Sequence, residues 1–385
     1  MTPPDTLTDT LPELTRWRHD LHRHPELAFR EHRTADFIAG KLREFGLDPI
    51  TGIAETGVVA VVDSGQPGLC VALRADMDAL PLDDQGGKPY ASTIAGQAHA
   101  CGHDGHSVAL LGAARQLAAR PPQSGRVVLI FQPAEESVAG AAAMIEAGIV
   151  ERFGIDEIYA FHNMPALDSG TAAVIAGTTL NGACLWEIDI EGVGGHGAAF
   201  YDAVDPLQAM ARLATEISSI VGRYLKPSEA GLITIGKMAG GSAANVIPAT
   251  AQLAGTLRGS TAETMEVLRS HLARACDGIA ALTGCTVTLR ILIDVPPCIN
   301  APLQSEVAAR ACGKLVGEDR ILRQMPPLPF TDDFAHFLAK IPGAYFFLGQ
   351  DGVMCHHPAY DFDDRLLGVA AGVFLAIIAD RLGPA

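Results

Sequence analysis

The sequence has few basic residues and no long apolar run. Its 385 residues include 28 Lys and Arg against 44 Asp and Glu, which gives a formal net charge of −16. This balance argues against a nucleic acid or an anionic membrane as a partner, because both require clustered positive charge. No stretch of about 18 consecutive apolar residues is present, so we expect no transmembrane helix.

Features of a secreted, disulfide-bonded protein are also missing. The N-terminal segment MTPPDTLTDTLPEL contains no basic stretch followed by an apolar run, and we therefore expect no signal peptide. The eight cysteines are scattered along the chain without regular spacing. We expect most of them to be buried free thiols in a cytoplasmic protein.

The length and the order of the predicted elements indicate two domains. A chain of 385 residues exceeds the size at which one hydrophobic core usually stops growing. Apolar strands at about 58–62 and 126–131 alternate with helical segments, including one at 107–119. This alternation predicts an α/β fold with a mainly parallel sheet.

The rhythm of the sequence changes in the middle of the chain. From about residue 184 the predicted order is strand, helix, two strands, helix and strand, which is the β-α-β-β-α-β order of a small α+β sandwich. The α/β pattern resumes after Pro296-Pro297. We therefore predict a discontinuous catalytic domain, residues 1–183 and 297–385, with a lid or dimerisation domain inserted at 184–296.

The densest group of reactive side chains is His99-Ala-Cys101-Gly-His103-Asp104-Gly-His106. A thiolate and an imidazole joined by one glycine can both face a single site, and both are ligands for first-row transition metals. The alternative is a polar turn with a buried thiol and incidental histidines. The density of potential ligands favours the metal site.

Two adjacent carboxylates, Glu135 and Glu136, follow the apolar strand that ends near Phe131. In open α/β sheets, ligands bind at such strand ends. Adjacent side chains on extended backbone point in opposite directions, so one carboxylate can ligate a metal while the other is the general base that amide hydrolysis needs. Taken alone, the motif fits a solvated helix N-terminus equally well.

Further candidate residues lie at other predicted strand ends. His162 follows an apolar strand, and His356 lies in the motif Cys355-His-His-Pro358. Single histidines of this kind are more often structural, but their place in the same predicted domain favours a shared site. Asp76 and Asp78 follow another strand, where they could bind metal directly or, as we favour, orient a ligating histidine.

The order of these motifs resembles the amidohydrolase branch of the dinuclear metallopeptidase family, which includes aminoacylases, bacterial carboxypeptidases, and hippurate and indole-acetyl-amino-acid hydrolases. Five motifs in the family's order are a specific signal that spans nearly the whole chain. They are Arg16-Trp-Arg-His-Asp-Leu-His-Arg-His-Pro-Glu26, Leu73-Arg-Ala-Asp-Met-Asp-Ala-Leu-Pro81, the cluster around Cys101, Phe131-Gln-Pro-Ala-Glu-Glu136, and Ala244-Asn-Val-Ile-Pro248.

The resemblance implies a specific set of metal ligands and a general base. Five residues are implied to bind two divalent metal ions: Cys101, His103, Glu136, His162 and His356. Glu135 is implied to activate the attacking water and then to protonate the leaving amine. Mixed sulfur, nitrogen and oxygen donors suit Mn, Zn, Co or Ni, so the metal is left open.

The predicted inserted domain carries the residues that the resemblance assigns to substrate. His196, in Gly194-Gly-His-Gly197, is implied to stabilise the oxyanion in the partner subunit of a homodimer or higher homo-oligomer. Asn245 and Arg258 are implied to bind the carbonyl and carboxylate of a small-molecule substrate, and a guanidinium suits a carboxylate. A loop position for His196 and a surface position for Arg258 are the alternatives. Phe200-Tyr201 stands where relatives usually have Pro-His, which alters the pocket wall.

These observations predict a two-metal amidohydrolase that cleaves N-acyl amino acids, with an acetyl, benzoyl or similar aryl-acyl group, into a carboxylic acid and an amino acid. A dipeptidase or carboxypeptidase on the same scaffold is one alternative, and it needs a pocket for a second amino acid or a free α-amine. The other alternative is a catalytically silent metal-binding relative. The presence of both Glu135 and Glu136 disfavours it.

Overall fold

The computed structural model describes residues 5–384, which divide into two compact units. The first unit takes the described residues up to Thr179, then Ile299–Pro326, and those from Asp332 onward; the second takes Leu180–Cys298 and Pro327–Thr331. The chain passes from one unit to the other between 179 and 180 and between 298 and 299, within four residues of the predicted 183/184 and 296/297.

The short segment 327–331, predicted to belong to the catalytic domain, is part of the second unit. Its contacts explain this assignment. The amide of Asn181 donates to the carbonyl of Leu328 at 3.1 Å, and the hydroxyl of Thr331 donates to the carbonyl of Asn181 at 3.2 Å. Arg258 Nη1 in turn donates to the Thr331 hydroxyl at 2.7 Å. These contacts join residues that are distant in sequence, and a local sequence pattern therefore does not predict them.

The strands in chain order are β1 (Ile50–Ile53), β2 (Gly57–Asp63), β3 (Cys70–Asp76), β4 (Arg126–Gln132), β5 (Glu157–Met164), β6 (Ala172–Ala173), β7 (Gly177–Leu180), β8 (Gly182–Glu191), β9 (Gly195–His196), β10 (Gly231–Gly240), β11 (Val246–Ile247), β12 (Thr250–Gly259), β13 (Thr286–Val295), β14 (Cys298–Asn300), β15 (Ile321–Leu322) and β16 (Gly343–Gly349).

The α-helices are α1 (Asp5–Thr8), α2 (Leu11–Arg23), α3 (His32–Glu44), α4 (His103–Ala119), α5 (Gly140–Glu146), α6 (Ile149–Phe153), α7 (Pro206–Tyr224), α8 (Ala262–Thr283), α9 (Pro302–Val316), α10 (Ala335–Leu338) and α11 (Arg365–Leu382). Two 3₁₀ segments occur at Gly197–Asp202 and Glu318–Arg320. None of the helices in the described part of the chain is long and apolar enough to cross a membrane.

The first unit is built on an eight-stranded sheet in the order β1-β2-β4-β3-β5-β16-β6-β15. Its central strands β4, β3, β5 and β16 run parallel to one another, and β3 and β16 are buried along their whole length. Continuous burial is expected where helices cover both faces of a parallel sheet. The predicted α/β class with a mainly parallel sheet is confirmed.

The parallel arrangement places the candidate residues at one edge of this sheet. Asp76, at the end of β3, is in register with Gln132, at the end of β4. His162, near the end of β5, is in register with Phe347 of β16. Since parallel strands end at the same edge, the segments that follow β3, β4, β5 and β16 meet there. Ligands of open α/β sheets bind at this edge.

The second unit contains a four-stranded antiparallel sheet in the order β10-β12-β8-β13. Along β8 buried and half-buried residues alternate, because one face of the sheet packs against apolar side chains of α7 and α8 and the other does not. Trp186 and Ile188 lie in this core. The main elements follow the predicted order of strand, helix, two strands, helix and strand.

Candidate metal centre

The turn before α4 sets the directions of Cys101 and His103. Gly102 between them has φ of 102°, a left-handed conformation that glycine adopts without strain. A Cβ at this position would overlap the side-chain oxygen of Asn163 and lie 2.7 Å from the hydroxyl of Tyr360. The helix begins at His103, four residues before the predicted start at 107, because this tight turn leads directly into it.

Asp78 holds the imidazole of His103 in one orientation. Nδ1 of His103 donates to the backbone carbonyl of Asp78 at 3.0 Å and lies 3.1 Å from its Oδ1. The other ring nitrogen, Nε2, is buried and has no hydrogen-bond partner among the residues that the structure describes; it lies 3.8 Å from a carboxylate oxygen of Glu135 and 3.9 Å from Oε1 of Glu136. In this orientation Nε2 of His103 faces the carboxylates of Glu135 and Glu136 and is available to bind a metal ion.

His162 is oriented in a similar way. Its Nδ1 donates to the carbonyl of Asn163 at 2.7 Å, so the lone pair lies on Nε2, which is 3.3 Å from the sulfur of Cys101. Burial lowers the pKa of His162 and keeps the ring neutral. A neutral imidazole with one nitrogen fixed by a carbonyl is the form that binds metals.

Glu136 and His356 complete the cluster. Nε2 of His356 lies 3.3 Å from Oε2 of Glu136, and the amide of Glu136 donates to Oδ2 of Asp78 at 2.9 Å. Oε1 of Glu136 is buried, and no residue in the described part of the chain forms a hydrogen bond with it. Burial raises the pKa of Glu136, but the hydrogen bond with His356 and the charge of His103 outweigh it and leave that pKa below its ordinary value.

These five residues form two overlapping groups whose donor atoms lie within 4.8 Å of one another: Cys101, His103 and His162, and Cys101, Glu136 and His356. The shared thiol makes the two groups neighbours, as a pair of ions requires. Sulfur, imidazole nitrogen and carboxylate oxygen are donors for divalent first-row metals. The unpartnered Nε2 of His103 and Oε1 of Glu136 are the buried polar atoms that a cation satisfies, so the residues fit the predicted metal pair.

The electrostatics of the cluster also favour cations. Burial lowers the pKa of His103, but the charge of Asp76 and the hydrogen bond and charge of Asp78 raise it well above its ordinary value. The negative potential that retains a proton on this imidazole equally attracts a metal ion in its place. The hydrogen bond with Cys355 and burial raise the pKa of Cys101, so metal binding at this sulfur displaces a proton.

Glu135 lies beside the cluster in a buried position. The backbone here is a turn that follows Ala134, whose φ is 56°, not the extended chain that the sequence suggested. Glu135 and Glu136 consequently both approach His103 instead of pointing in opposite directions. Burial and the charges of Asp332 and Glu136 raise the pKa of Glu135 well above its ordinary value, which suits a proton acceptor and donor near neutral pH.

A buried ionic network lies behind Glu135, and the sequence analysis did not identify it. Arg74 donates to Asp76 at 2.6 Å and lies 3.3 Å from carboxylate oxygens of Asp332 and Asp333. The carboxylates of Glu135, Asp332 and Asp333 are within 4.8 Å of one another. The adjacent acidic pair 332–333 in an apolar context was the available signal, but the side chain of Gln132 and the amide of Ala141, which donate to Asp333, are more than 190 residues away.

The other members of the cluster around Cys101 have different partners. His106 uses both ring nitrogens, with Asp76 at 2.6 Å and with Asn163 Oδ1 at 2.7 Å, and is therefore a supporting residue. Asp104 lies 2.8 Å from His22 Nδ1 and 3.4 Å from Arg18. These bonds direct Asp104 away from the candidate ligands.

The predicted substrate residues lie in the second unit. His196 on β9 pairs with Val246 on β11, which follows Asn245 directly, so His196 and Asn245 belong to adjacent segments. The ring of His196 is exposed, and its Nδ1 accepts from the amide of Ala198 at 3.1 Å. Arg258 lies apart from them, on β12, and is bonded to Thr331. Phe200 and Tyr201 are 69% and 75% exposed.

Comparison with known proteins identifies what the chain is similar to. The model of the family described as Peptidase family M20/M25/M40 matches residues 72–380. The hippurate hydrolase of Campylobacter jejuni is 35% identical over 369 residues, 96% of this chain and 96% of that protein. The thermostable carboxypeptidase 1 of Saccharolobus solfataricus is 33% identical over 390 residues, 97% of this chain and 98% of that protein.

A solved structure shares the fold over the full chain. It is a Bacillus subtilis protein described as a dinuclear metal-binding peptidase of the M20 family. Its structure superposes with a TM-score of 0.83 at 31% identity and covers 98% of this chain and 100% of that one.

Proposed function

The chain belongs to Peptidase family M20/M25/M40 and is a metal-dependent amidohydrolase, and on that premise we propose that it hydrolyses N-acyl amino acids. The proposed products are a free amino acid and a carboxylic acid, with acetyl, benzoyl or a similar aryl-acyl group as the acyl part. The observation that carries the proposal is the buried carboxylate of Glu135, next to a donor set that fits two metal ions.

Two divalent metal ions are the cofactor that the family and the dinuclear relative support. We propose that five side chains hold them: Cys101, His103, Glu136, His162 and His356. When bound, such a pair lowers the pKa of water, polarises an acyl oxygen and offsets negative charge on it. Manganese, zinc, cobalt and nickel all suit this donor set.

Glu135 performs the proton transfers in this proposal. Its carboxylate accepts a proton from the attacking water, which adds to the acyl carbon. The same carboxyl group then donates that proton to the amide nitrogen, so that the C–N bond breaks and the amine leaves neutral. A group whose pKa lies above that of an ordinary carboxyl is suited to both steps, and burial and the charge of Asp332 raise the pKa of Glu135.

We assign substrate recognition to the second unit. Arg258 carries the guanidinium that pairs with the α-carboxylate, and its hydrogen bond to Thr331 fixes the side chain while leaving further N–H groups for a carboxylate. Asn245 binds the acyl carbonyl, and His196 stabilises the developing oxyanion. The exposed rings of Phe200 and Tyr201, which contact edge to face with centroids 5.8 Å apart, favour an apolar or aromatic acyl group.

We also propose that the protein is a cytoplasmic homodimer or higher homo-oligomer. β10 lies at an edge of the small sheet, and it exposes Leu232 and Met238 to 45% and 50%. An exposed edge strand with apolar side chains pairs readily with another strand. Sedimentation is expected to give a dimer, and a fully active monomer would exclude both the assembly and a role of His196 in the partner subunit.

A carboxypeptidase or dipeptidase is the second candidate function, favoured by the similarity to the Saccharolobus carboxypeptidase. Substrate panels separate the two. We expect the enzyme, loaded with Mn²⁺ or Zn²⁺, to hydrolyse N-acetyl and N-benzoyl amino acids faster than dipeptides with a free α-amine. Turnover of dipeptides without turnover of N-acyl amino acids would establish the peptidase. Two bound metals without hydrolysis of any amide would indicate the silent relative.

Arg258→Gln tests the assignment of the carboxylate site. For N-acyl amino acids the variant is expected to have a higher KM at nearly unchanged kcat. For the corresponding N-acyl amino acid amides, which carry no carboxylate, we expect little change in KM. Removal of a charge-assisted hydrogen bond of this type costs about 1.5–3 kcal/mol. Equal effects on both substrate series would contradict the assignment.

A further inference from the structure

The thiol of Cys355 lies against the candidate ligand Cys101. The Cys355 thiol donates to the backbone carbonyl oxygen of Cys101, with the sulfur 3.7 Å from that oxygen. The residues are 254 positions apart in sequence, so the fold alone creates this contact. The mechanism derived above uses Cys101 and gives Cys355 no task.

The backbone fixes this pair firmly. The amide of His356 donates to the carbonyl of Ala100 at 2.7 Å. Cys355 directly precedes His356 and Cys101 directly follows Ala100, so this backbone hydrogen bond brings the two cysteines close together. Neighbouring chain segments joined in this way lie about 5 Å apart, and a disulfide needs its Cα atoms within about 7 Å. The side-chain amide of Asn163 donates to the Cys355 sulfur at 3.5 Å and holds it on the side of Cys101.

We propose that Cys101 and Cys355 are an oxidation site, in which hydrogen peroxide converts the two thiols into an intramolecular disulfide. Cys355 is only partly buried, whereas Cys101 is buried, so peroxide reaches Cys355 first. The other six cysteines are buried as well. The partly buried Cys355 and its buried neighbour Cys101 correspond to the attacked and the resolving thiol of a redox pair.

The chemistry balances in two steps. The Cys355 sulfur attacks one peroxide oxygen, the O–O bond breaks, and a sulfenic acid and one water form. The Cys101 sulfur then attacks the sulfenic sulfur, the S–O bond breaks, and the hydroxyl leaves as a second water with the proton of Cys101. The two sulfurs together lose two electrons and the peroxide gains them. A dithiol reductant reverses the reaction by thiol–disulfide exchange.

The disulfide removes the Cys101 thiolate, which belongs to both donor groups. Oxidation therefore abolishes metal binding at this site, and reduction restores it. The consequence for metal binding rests on the proposed donor role of Cys101. Formation of the cross-link does not rest on it, because it depends only on how closely the fold brings Cys355 to Cys101.

Peptide mapping of the full-length protein tests the proposal. The chain is treated with peroxide before metal is added, denatured, alkylated and digested with trypsin. Cys101 and Cys355 fall on the separate tryptic peptides 75–115 and 341–365, and each peptide contains no other cysteine. We expect the two peptides to be joined, with a combined mass two hydrogens below their sum, and to separate after dithiol treatment.

Variants and a metal-binding readout complete the experiment. Cys312→Ala, a buried cysteine in α9, is expected to cross-link as the wild type does. Cys355→Ala is expected to give no cross-link, so any loss of Zn²⁺ binding that peroxide still causes in this variant is not restored by dithiol, since a cysteine without a resolving partner oxidises beyond the sulfenic stage. Unlinked peptides, or a disulfide to another cysteine in the wild type, would overturn the proposal. Normal cross-linking without any effect on Zn²⁺ binding would instead refute the donor role of Cys101.

Discussion

Asp78 accepts a hydrogen bond from the ring of His103 and, through its second oxygen, from the amide of Glu136, at 3.1 and 2.9 Å. One buried carboxylate thus positions two candidate ligands that belong to different elements. In Asp78→Asn only one side-chain oxygen remains to accept, and the NH₂ group that replaces the other oxygen cannot accept a hydrogen bond from His103 or Glu136. We expect the affinity for Zn²⁺ or Mn²⁺, measured by calorimetric titration, to fall about 10- to 100-fold.

Asp63→Asn is the matched control for this variant. Asp63 is exposed at the end of β2 and accepts a hydrogen bond from Gly65 within a turn, so its replacement is expected to leave metal affinity unchanged. An Asp78→Asn protein that binds metal as tightly as the wild type would contradict the orienting role of Asp78.

Gly102→Ala tests the turn between Cys101 and His103. The positive φ strains any residue with a Cβ, and the added methyl group collides with the side chain of Asn163. We expect a destabilisation of about 2 kcal/mol or more, seen as a lower unfolding temperature, together with weaker metal binding. Gly40→Ala in α3 is the control, because its Cβ meets no atom of residues 5–384 within 4 Å. There alanine favours the helix, by up to about 1 kcal/mol.

His22 makes the stability dependent on pH. Burial lowers the pKa of His22, but the charge of Asp104 and hydrogen bonds with Asp104 and Asp84 raise it to about 9. A pKa raised in the folded state stabilises the protein fully below the unfolded value of about 6.5, and this contribution is lost as the pH rises through 9. The window is therefore pH 6.5 to 9.

His22→Gln removes this titration. The difference in unfolding free energy between wild type and variant is expected to be largest near pH 6 and to shrink, by an amount on the order of 2–3 kcal/mol, by pH 9.5. Denaturant titrations at a series of pH values measure it, and the pH dependence of other groups cancels in the difference. A difference that is constant or that grows with pH would be inconsistent with the ion pair.

The position of the candidate site could be predicted from the sequence because it follows from strand ends. His162 and the pair Glu135-Glu136 each follow an apolar run, and parallel strands bring such positions to one edge of the sheet. The alternation of helices and strands likewise predicted the sheet and most helix positions, since periodicity reflects which face of an element is buried.

What could not be predicted depends on contacts between distant residues and on local backbone geometry. The left-handed turn residue Ala134 directs Glu135 and Glu136 to the same side, against the rule for extended chain. His106 resembles a ligand in sequence, but Asp76 and Asn163 occupy both of its nitrogens. The contact of the Cys355 thiol with the backbone carbonyl of Cys101 likewise arises only from the tertiary fold.

The most direct test of the central claim compares Glu135→Gln with Glu136→Gln, measuring bound metal and the hydrolysis of an N-benzoyl amino acid on the same samples. Glu135→Gln is predicted to keep two metal ions per chain while kcat falls about 10²- to 10⁴-fold, the usual contribution of a general base. Glu136→Gln is predicted to lose metal together with activity. Full activity in Glu135→Gln, or loss of its metal, would contradict the assignment of Glu135 as the residue that transfers the proton.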